Sequence, residues 1–243
     1  MSELKLGPPK NKSLQIMTVP LNDTMNGSTK SAVKGFFVTG TDTGIGKTVL
    51  SALLVAALDG IYWKPVQTGS IEGTDRNSVC VWAECPEERL LPERYCFDPP
   101  VSPHLAAREA GVRITLDAIG LPPSSETRPI IVEGAGGAMV PVNEHDLMLD
   151  LMRRLALPVV VATRTTLGTI NHTLMTLAAL RSAHLHVQGV VMIGHENIEN
   201  RRAIEHYGKV RVIGHIPMLE KIHRAALLDV FEKHFDRRAF TEL

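Results

Sequence analysis

The sequence predicts a three-layer α/β domain, a mostly parallel central sheet flanked by helices. Three observations carry that expectation. From residue 35 onward, strand-like and helix-like segments alternate, the pattern of a sheet with helices on both faces. Pro129-Ile130-Ile131-Val132 and Pro158-Val159-Val160-Val161-Ala162 are continuous apolar runs, which suit parallel strands covered on both sides. The first apolar run enters a glycine-rich turn and then helix-compatible sequence. In such a sheet, ligands collect at the carboxyl ends of the strands.

The elements follow in order. Phe36-Phe37-Val38 opens a strand over 35–39, and Val49-Leu50-Ser51-Ala52-Leu53-Leu54-Val55-Ala56-Ala57-Leu58 belongs to a helix over 47–58. Ile61-Tyr62-Trp63 begins a strand over 61–65; further strands are expected over 129–133, 157–162, 187–193 and 211–214. Helices are expected around 76–84, 101–110, 146–155, 169–183, 197–207 and 221–235. Residues 1–34 mix Pro8, Pro9, Asn11, Lys12, Asn22, Asp23, Asn26 and Gly27 with little periodicity and read as a flexible N-terminal extension. Residues 35–243 then form a single domain, and 243 residues suffice for a sizeable core.

Composition excludes some classes of function. Hydrophobic residues make up 44% and charged residues 21%, ordinary for a globular protein. Formal net charge is zero, so no long-range field draws the chain to nucleic acid or an anionic membrane. No apolar run is long enough to span a bilayer. Lys5, Lys10 and Lys12 precede no continuous apolar segment of the secretory kind. Cys80, Cys85 and Cys96 are odd in number and lack metal-site spacing; they read as reduced thiols of a cytoplasmic protein.

The central motif is Phe36-Phe37-Val38-Thr39-Gly40-Thr41-Asp42-Thr43-Gly44-Ile45-Gly46-Lys47-Thr48. Glycines let backbone N–H groups approach phosphate oxygens, and a helix N-terminus adds a positive dipole end. Lys47 reaches the outer phosphates, and the Thr48 hydroxyl is a ligand for Mg²⁺. The common P-loop has four residues between its glycines; Gly40 and Gly46 are separated by five. A nucleotide site is expected at Asp42, Thr43, Gly44, Ile45, Gly46, Lys47 and Thr48, together with Glu133, in a P-loop NTPase fold.

Other strand ends bring more chemistry to the same edge. Ile61-Tyr62-Trp63 ends in Lys64-Pro65-Val66-Gln67-Thr68-Gly69, the third strand in Glu133-Gly134-Ala135-Gly136-Gly137, and the fourth in Thr163-Arg164-Thr165-Thr166-Leu167-Gly168. Glu133 is a hard carboxylate for Mg²⁺, or else a solvated strand end or a helix cap. Asp75 is a second carboxylate, or the cap of the helix that follows it. Lys64 is a cation for a transferring phosphoryl group, or a surface lysine. Thr68 contacts an acceptor or makes an ST-turn. Leu167-Gly168-Thr169-Ile170-Asn171-His172 opens a helix whose free N–H groups suit a carboxylate, unless Thr169 caps it.

Together these segments resemble the dethiobiotin synthetase family. The resemblance rests on Val38-Thr39-Gly40-Thr41-Asp42-Thr43 with Gly46-Lys47-Thr48, Lys64-Pro65-Val66, Ser102-Pro103-His104 and Val132-Glu133-Gly134-Ala135-Gly136-Gly137. Leu167-Gly168-Thr169-Ile170-Asn171-His172 and Gly214-His215-Ile216-Pro217 complete it, so that it runs from about 35 to 219. The longer glycine spacing is itself a family feature. The resemblance implies a homodimeric P-loop enzyme of biotin biosynthesis that uses MgATP and CO₂ to turn 7,8-diaminopelargonic acid into dethiobiotin. One amine takes up CO₂ as a carbamate, the γ-phosphoryl group activates it as a mixed anhydride, and the second amine closes the cyclic urea.

Carried onto this chain, the resemblance implies Lys47 and Lys64 as active-site lysines. Thr48, Asp75 and Glu133 correspond to Mg²⁺ ligands. Thr43, Lys64 and Thr68 face the diamine or carbamate end of the substrate. The backbone of Gly168, Thr169 and Asn171 holds the substrate carboxylate across a subunit interface. Three features depart from the family. The segment between Lys64 and Asp75 is short, Ile193-Gly194-His195-Glu196-Asn197 stands where some members read the base with an Asn-Asp turn, and the N-terminal extension has no counterpart in the compact family domain.

Two rival readings share the P-loop. Partitioning-type ATPases carry a second lysine five residues before the P-loop lysine, where this chain has Asp42. Cobyrinate amidating relatives usually carry a glutaminase domain, which is missing here.

Overall fold

The computed structural model describes residues 34–122 and 128–241. The expected extension lies outside the described residues except for Lys34, whose carbonyl accepts a hydrogen bond from Ile130 N at 2.9 Å. In chain order the elements are β1 (Gly35–Gly40), α1 (Lys47–Leu58), β2 (Ile61–Trp63), β3 (Val66–Thr68), α2 (Asp75–Ala83), β4 (Leu90–Leu91), β5 (Tyr95–Phe97), α3 (Pro103–Glu109) and β6 (Ile130–Glu133). There follow α4 (Met148–Leu155), β7 (Val159–Arg164), α5 (Thr169–Ser182), β8 (Val187–Ile193), α6 (Ile198–Gly208), β9 (Val212–Ile216), α7 (Arg224–His234) and α8 (Arg238–Thr241). Every strand and helix expected from sequence has its counterpart. The short β3, β4, β5 and α8 were not anticipated.

The central sheet has seven strands in the order β4-β2-β6-β1-β7-β8-β9, and every neighbouring pair is parallel. A separate parallel pair, β3 with β5, lies beyond the end of β2. All six residues of β1 are buried, as a strand between two helical layers must be.

Alternation along the strands divides the core into two faces. Phe37, Val132, Val159 and Val161 pack with Met148, Met152, Leu177 and Ile204 of α4, α5 and α6. Phe36, Val38, Ile131, Val160 and Ala162 pack with Leu50, Leu53 and Leu54 of α1, Val79 of α2 and Leu227 of α7. Each large apolar side chain removed from water contributes about 1.5–3 kcal/mol. Truncating Phe36 or Phe37, both fully buried, should therefore cost about 3–5 kcal/mol.

The strand order positions the chemistry. β2, β6, β1 and β7 are consecutive in the sheet, and they are the four strands whose carboxyl ends carry the polar motifs. Those motifs thus share one edge although Asp42 and Arg164, which meet there, are 122 residues apart.

Candidate functional site

The loop after β1 turns on two left-handed glycines, Gly44 (φ 68) and Gly46 (φ 96). A side chain is strained at such φ values. At Gly46 a Cβ would also lie 3.1 Å from Ile193 Cδ1. α1 begins at Lys47 without a side-chain cap, so its first N–H groups have no side-chain partner at the cleft. Lys47 folds back over the loop and donates to the Asp42 carbonyl at 2.9 Å. The side chain is buried. That burial, with Lys64 nearby, lowers its pKa to about 8, despite Glu133, Asp75 and Asp42.

Beside this loop lies a cluster drawn from four elements. Thr48 Oγ1 is 2.7 Å from Asp75 Oδ1 and 3.0 Å from Glu133 Oε1. Lys64 Nζ is 3.3 Å from Glu133 Oε1 and is ion-paired with Asp75. Glu133 is 1% exposed and Lys64 7%, which removes the solvated strand end and the surface lysine from consideration. Burial disfavours the Lys64 ammonium, but Glu133 and Asp75 outweigh it and raise its pKa. Burial likewise opposes ionisation of Asp75, but Lys64, Thr48 and Lys47 hold its carboxyl below the usual range. Tyr62 donates its phenol to Glu133 Oε2 at 3.0 Å; burial first, then Glu133, keeps that phenol protonated well above its ordinary range.

Asp75 reaches this cluster because another residue caps its helix. Thr74 is the N-cap of α2, accepting from Asn77 N at 3.2 Å, so the Asp75 carboxylate is released toward Thr48 and Lys64. Asp75 N donates to Gln67 Oε1 at 3.2 Å, which ties the start of α2 to β3. A cleft of about 430 Å³ opens onto Thr43, Gly44, Gly46, Lys47, Thr48, Lys64, Thr68, Asp75 and Glu133. Gln67, the Pro100–Pro103 segment, Ala135, Gly136 and Val140 complete its wall.

Five expected site residues stand outside that cleft. Ile45 is buried beneath the loop. Asp42 and Thr169 line a separate small cavity with Arg164, Leu167 and His172. Gly168 (φ 93) is the N-cap of α5 and supplies no side-chain cap; Thr169 instead donates to the Arg164 carbonyl at 2.6 Å. Asn171 is exposed on the first turn of α5. Within one chain, the α5 N-terminus and the lysines therefore belong to different cavities.

Residues 34–226 match the family model described as an AAA domain. An ATP-dependent dethiobiotin synthetase from Paramagnetospirillum magneticum is 52% identical over 195 residues, 80% of this chain and 93% of that protein. This chain belongs to the ATP-dependent dethiobiotin synthetase family. A family member from Rhodopseudomonas palustris is 46% identical over 203 residues, 84% of this chain and 95% of that protein. A solved ParA family ATPase from Chlorobium tepidum TLS, outside the dethiobiotin synthetases, overlaps with a TM-score of 0.48 at 12% identity, covering 84% of this chain and 94% of that one.

As a dethiobiotin synthetase the chain is an enzyme, an ATP-dependent ligase, with a P-loop and a parallel α/β sheet. Sequence reading passed over several residues that touch its site. Tyr62 and Gln67 look like ordinary strand residues, and only pairing across the sheets brings them to Glu133 and Asp75. Arg164 has no role legible in its strand-end sequence; its Nη2 donates to Asp42 Oδ2 at 3.1 Å and to the Thr43 carbonyl at 3.2 Å. Thr163 Oγ1 lies 2.8 Å from Thr169 Oγ1 and 2.7 Å from Thr173 Oγ1. These bonds join the P-loop, the end of β7 and the first turn of α5.

Proposed function

We propose that this chain closes 7,8-diaminopelargonic acid with CO₂ into the cyclic urea dethiobiotin, consuming ATP, with Lys47 and Lys64 as its catalytic cations. The observation that carries the reading is the meeting of Lys64, Thr48, Asp75 and Glu133 beside the P-loop lysine in one cleft. Joining a carbamate to a triphosphate brings two anions together. Fixed cations offset their repulsion and meet the charge that develops in the transition state.

The donor set fits Mg²⁺. Three hard oxygens crowd together, and Thr48 has one hydroxyl proton for two carboxylate oxygens. Two carboxylates and a hydroxyl are what Mg²⁺ takes when it keeps waters and substrate phosphates as its other ligands. Thr48, Asp75 and Glu133 would hold the ion. When bound, it supplies charge neutralisation at the phosphates.

The remaining steps belong to the chain. Gly44, Gly46 and the start of α1 cradle the phosphates. One substrate amine adds CO₂ and loses a proton to become a carbamate, with Thr43, Thr68 and Lys64 orienting that end. The carbamate oxygen takes the γ-phosphoryl group and ADP departs. The second amine attacks the activated carbonyl, and phosphate leaves as the ring closes. Lys47 tracks the phosphoryl oxygens, and positioning dominates over general-base help.

The substrate carboxylate is received by the backbone of Gly168, Thr169 and Asn171 from a second copy. Two observations support a homodimer: the α5 N-terminus lies outside the cleft of its own chain, and Leu167, Met139 and Met175 are exposed nearby. Among the described residues no helix is long and apolar enough to cross a membrane; the small-molecule substrates follow from the cleft and its family, and a cytoplasmic setting is proposed with them.

The deciding experiment is mass detection of dethiobiotin from diaminopelargonate, bicarbonate and MgATP. The expected result is product formed in step with ADP. ATP-stimulated self-assembly with no product would instead favour a switch ATPase.

A further inference from the structure

Tyr62 is a fully buried phenol that the reaction above leaves without a task. In the register of β2 against β6, Tyr62 lies opposite Ile131, two residues before Glu133. The two side chains therefore share one face of the sheet as diagonal neighbours. The phenol donates to Glu133 Oε2 at 3.0 Å, whereas Thr48 and Lys64 both approach Oε1, at 3.0 and 3.3 Å. The two carboxylate oxygens are thus divided. One is held inside the protein by a neutral donor, and the other faces the cleft.

That division has a consequence for the ion the cluster accepts. Mg²⁺ demands near-octahedral geometry at about 2.0–2.1 Å and takes carboxylates through single oxygens, whereas Ca²⁺ at about 2.3–2.6 Å readily takes both oxygens of one carboxylate. We propose that Tyr62 is a positioning residue for metal choice: by occupying Oε2 it restricts Glu133 to one ligating oxygen and disfavours Ca²⁺ relative to Mg²⁺. Removing the hydroxyl leaves Oε2 buried and unpartnered, and turning that oxygen onto a larger ion restores a partner. Outer partners of metal ligands commonly change metal affinity by about 10–100-fold.

The inference rests on the Mg²⁺ reading of Thr48, Asp75 and Glu133, and its test separates the two. Free Mn²⁺ is followed by EPR as it is titrated into the whole protein, with Mg²⁺ or Ca²⁺ as competitor, for wild type, Tyr62→Phe and Thr48→Ala. The ratio of Ca²⁺ to Mg²⁺ affinity should rise at least fivefold in Tyr62→Phe, whatever its melting temperature. A rise of less than fivefold, with Mn²⁺ still bound and lost in Thr48→Ala, overturns the role of Tyr62 and spares the metal site. No Mn²⁺ binding to wild type, or binding unaffected by Thr48→Ala, overturns both. A second measurement needs no variant: in a crystal of wild type with MgADP, Glu133 should ligate through one oxygen while the other keeps the Tyr62 hydroxyl. Glu133 bound through both oxygens overturns the proposal.

Discussion

Lys47 and Lys64 stand beside one another in the same cleft and are almost equally buried, at 6% and 7% exposure. Their chemistry differs in sign. Lys47, in the phosphate loop, has a backbone carbonyl as its hydrogen-bond partner and titrates near 8. Lys64, in the carboxylate cluster, touches both Asp75 and Glu133 and is held above the ordinary lysine value. Burial penalises both ammonium groups, and carboxylates in contact reverse the result only for Lys64. The phosphate loop presents a cation with no carboxylate in hydrogen-bond contact, and the cluster presents one paired with two.

The comparison breaks most completely if the divalent ion is withdrawn. In excess EDTA, ATP consumption coupled to dethiobiotin should fall to background; undiminished turnover would reject the metal assignment to Thr48, Asp75 and Glu133. Next comes Lys64→Met, which leaves two carboxylates facing each other without their ammonium. Losing one partner of a buried charge pair costs about 3–5 kcal/mol, to be read from urea unfolding, and turnover should drop at least tenfold, about 1.4 kcal/mol in the barrier. Stability equal to wild type would show that the cluster does not depend on Lys64.

Lys47→Met should part the two lysines. Turnover again falls at least tenfold, but at pH 7 the folded protein should gain roughly 1–3 kcal/mol, because an under-partnered buried charge is gone. A loss of stability instead would mean that Lys47 is better partnered than its geometry indicates.

pH sharpens the same contrast. Between its folded pKa of about 8 and the ordinary 10.5, Lys47 has released its proton in the folded state while the unfolded chain still binds one. Its contribution to stability therefore rises with pH across that window. Lys64, raised when folded, contributes fully below 10.5 and is lost only as pH climbs through its folded value. The stability gap between wild type and Lys47→Met should narrow from pH 7.5 to pH 10, and kcat/KM for ATP should decline above pH 8 as Lys47 loses its charge. A gap constant with pH would contradict the depressed value. The smallest effect is expected away from both regions: deletion of residues 1–30 should leave melting temperature and turnover unchanged, and failure of the shortened chain to fold would overturn the assignment of a dispensable extension.

Legibility from sequence was uneven for physical reasons. Runs such as Val159-Val160-Val161-Ala162 announce buried strands, because nothing else covers that much apolar surface in so few residues. β4 is only Leu90–Leu91, and β3 and β5 have three residues each. Segments so short owe their pairing to neighbours rather than to a pattern of their own. The Asp75 assignment left a helix cap open as its other role, and Thr74 closed it by taking the cap. Thr169 was open in the same way, and its hydroxyl turned to the Arg164 carbonyl.

What residue order alone settles here is local and covalent. Glycines adjacent to Gly46-Lys47-Thr48 must turn just where a strand meets a helix, so a phosphate cradle with a lysine and a hydroxyl at its mouth is written into consecutive residues. Folding supplied what depends on distance through space. The order β2-β6-β1-β7 set Lys64 against Glu133, the start of α2 brought Asp75 to the same ammonium, and Lys47 was left against a carbonyl. Two identical side chains acquired opposite tendencies to hold a proton, because Coulomb interaction answers to separation and dielectric surroundings and not to position along the chain.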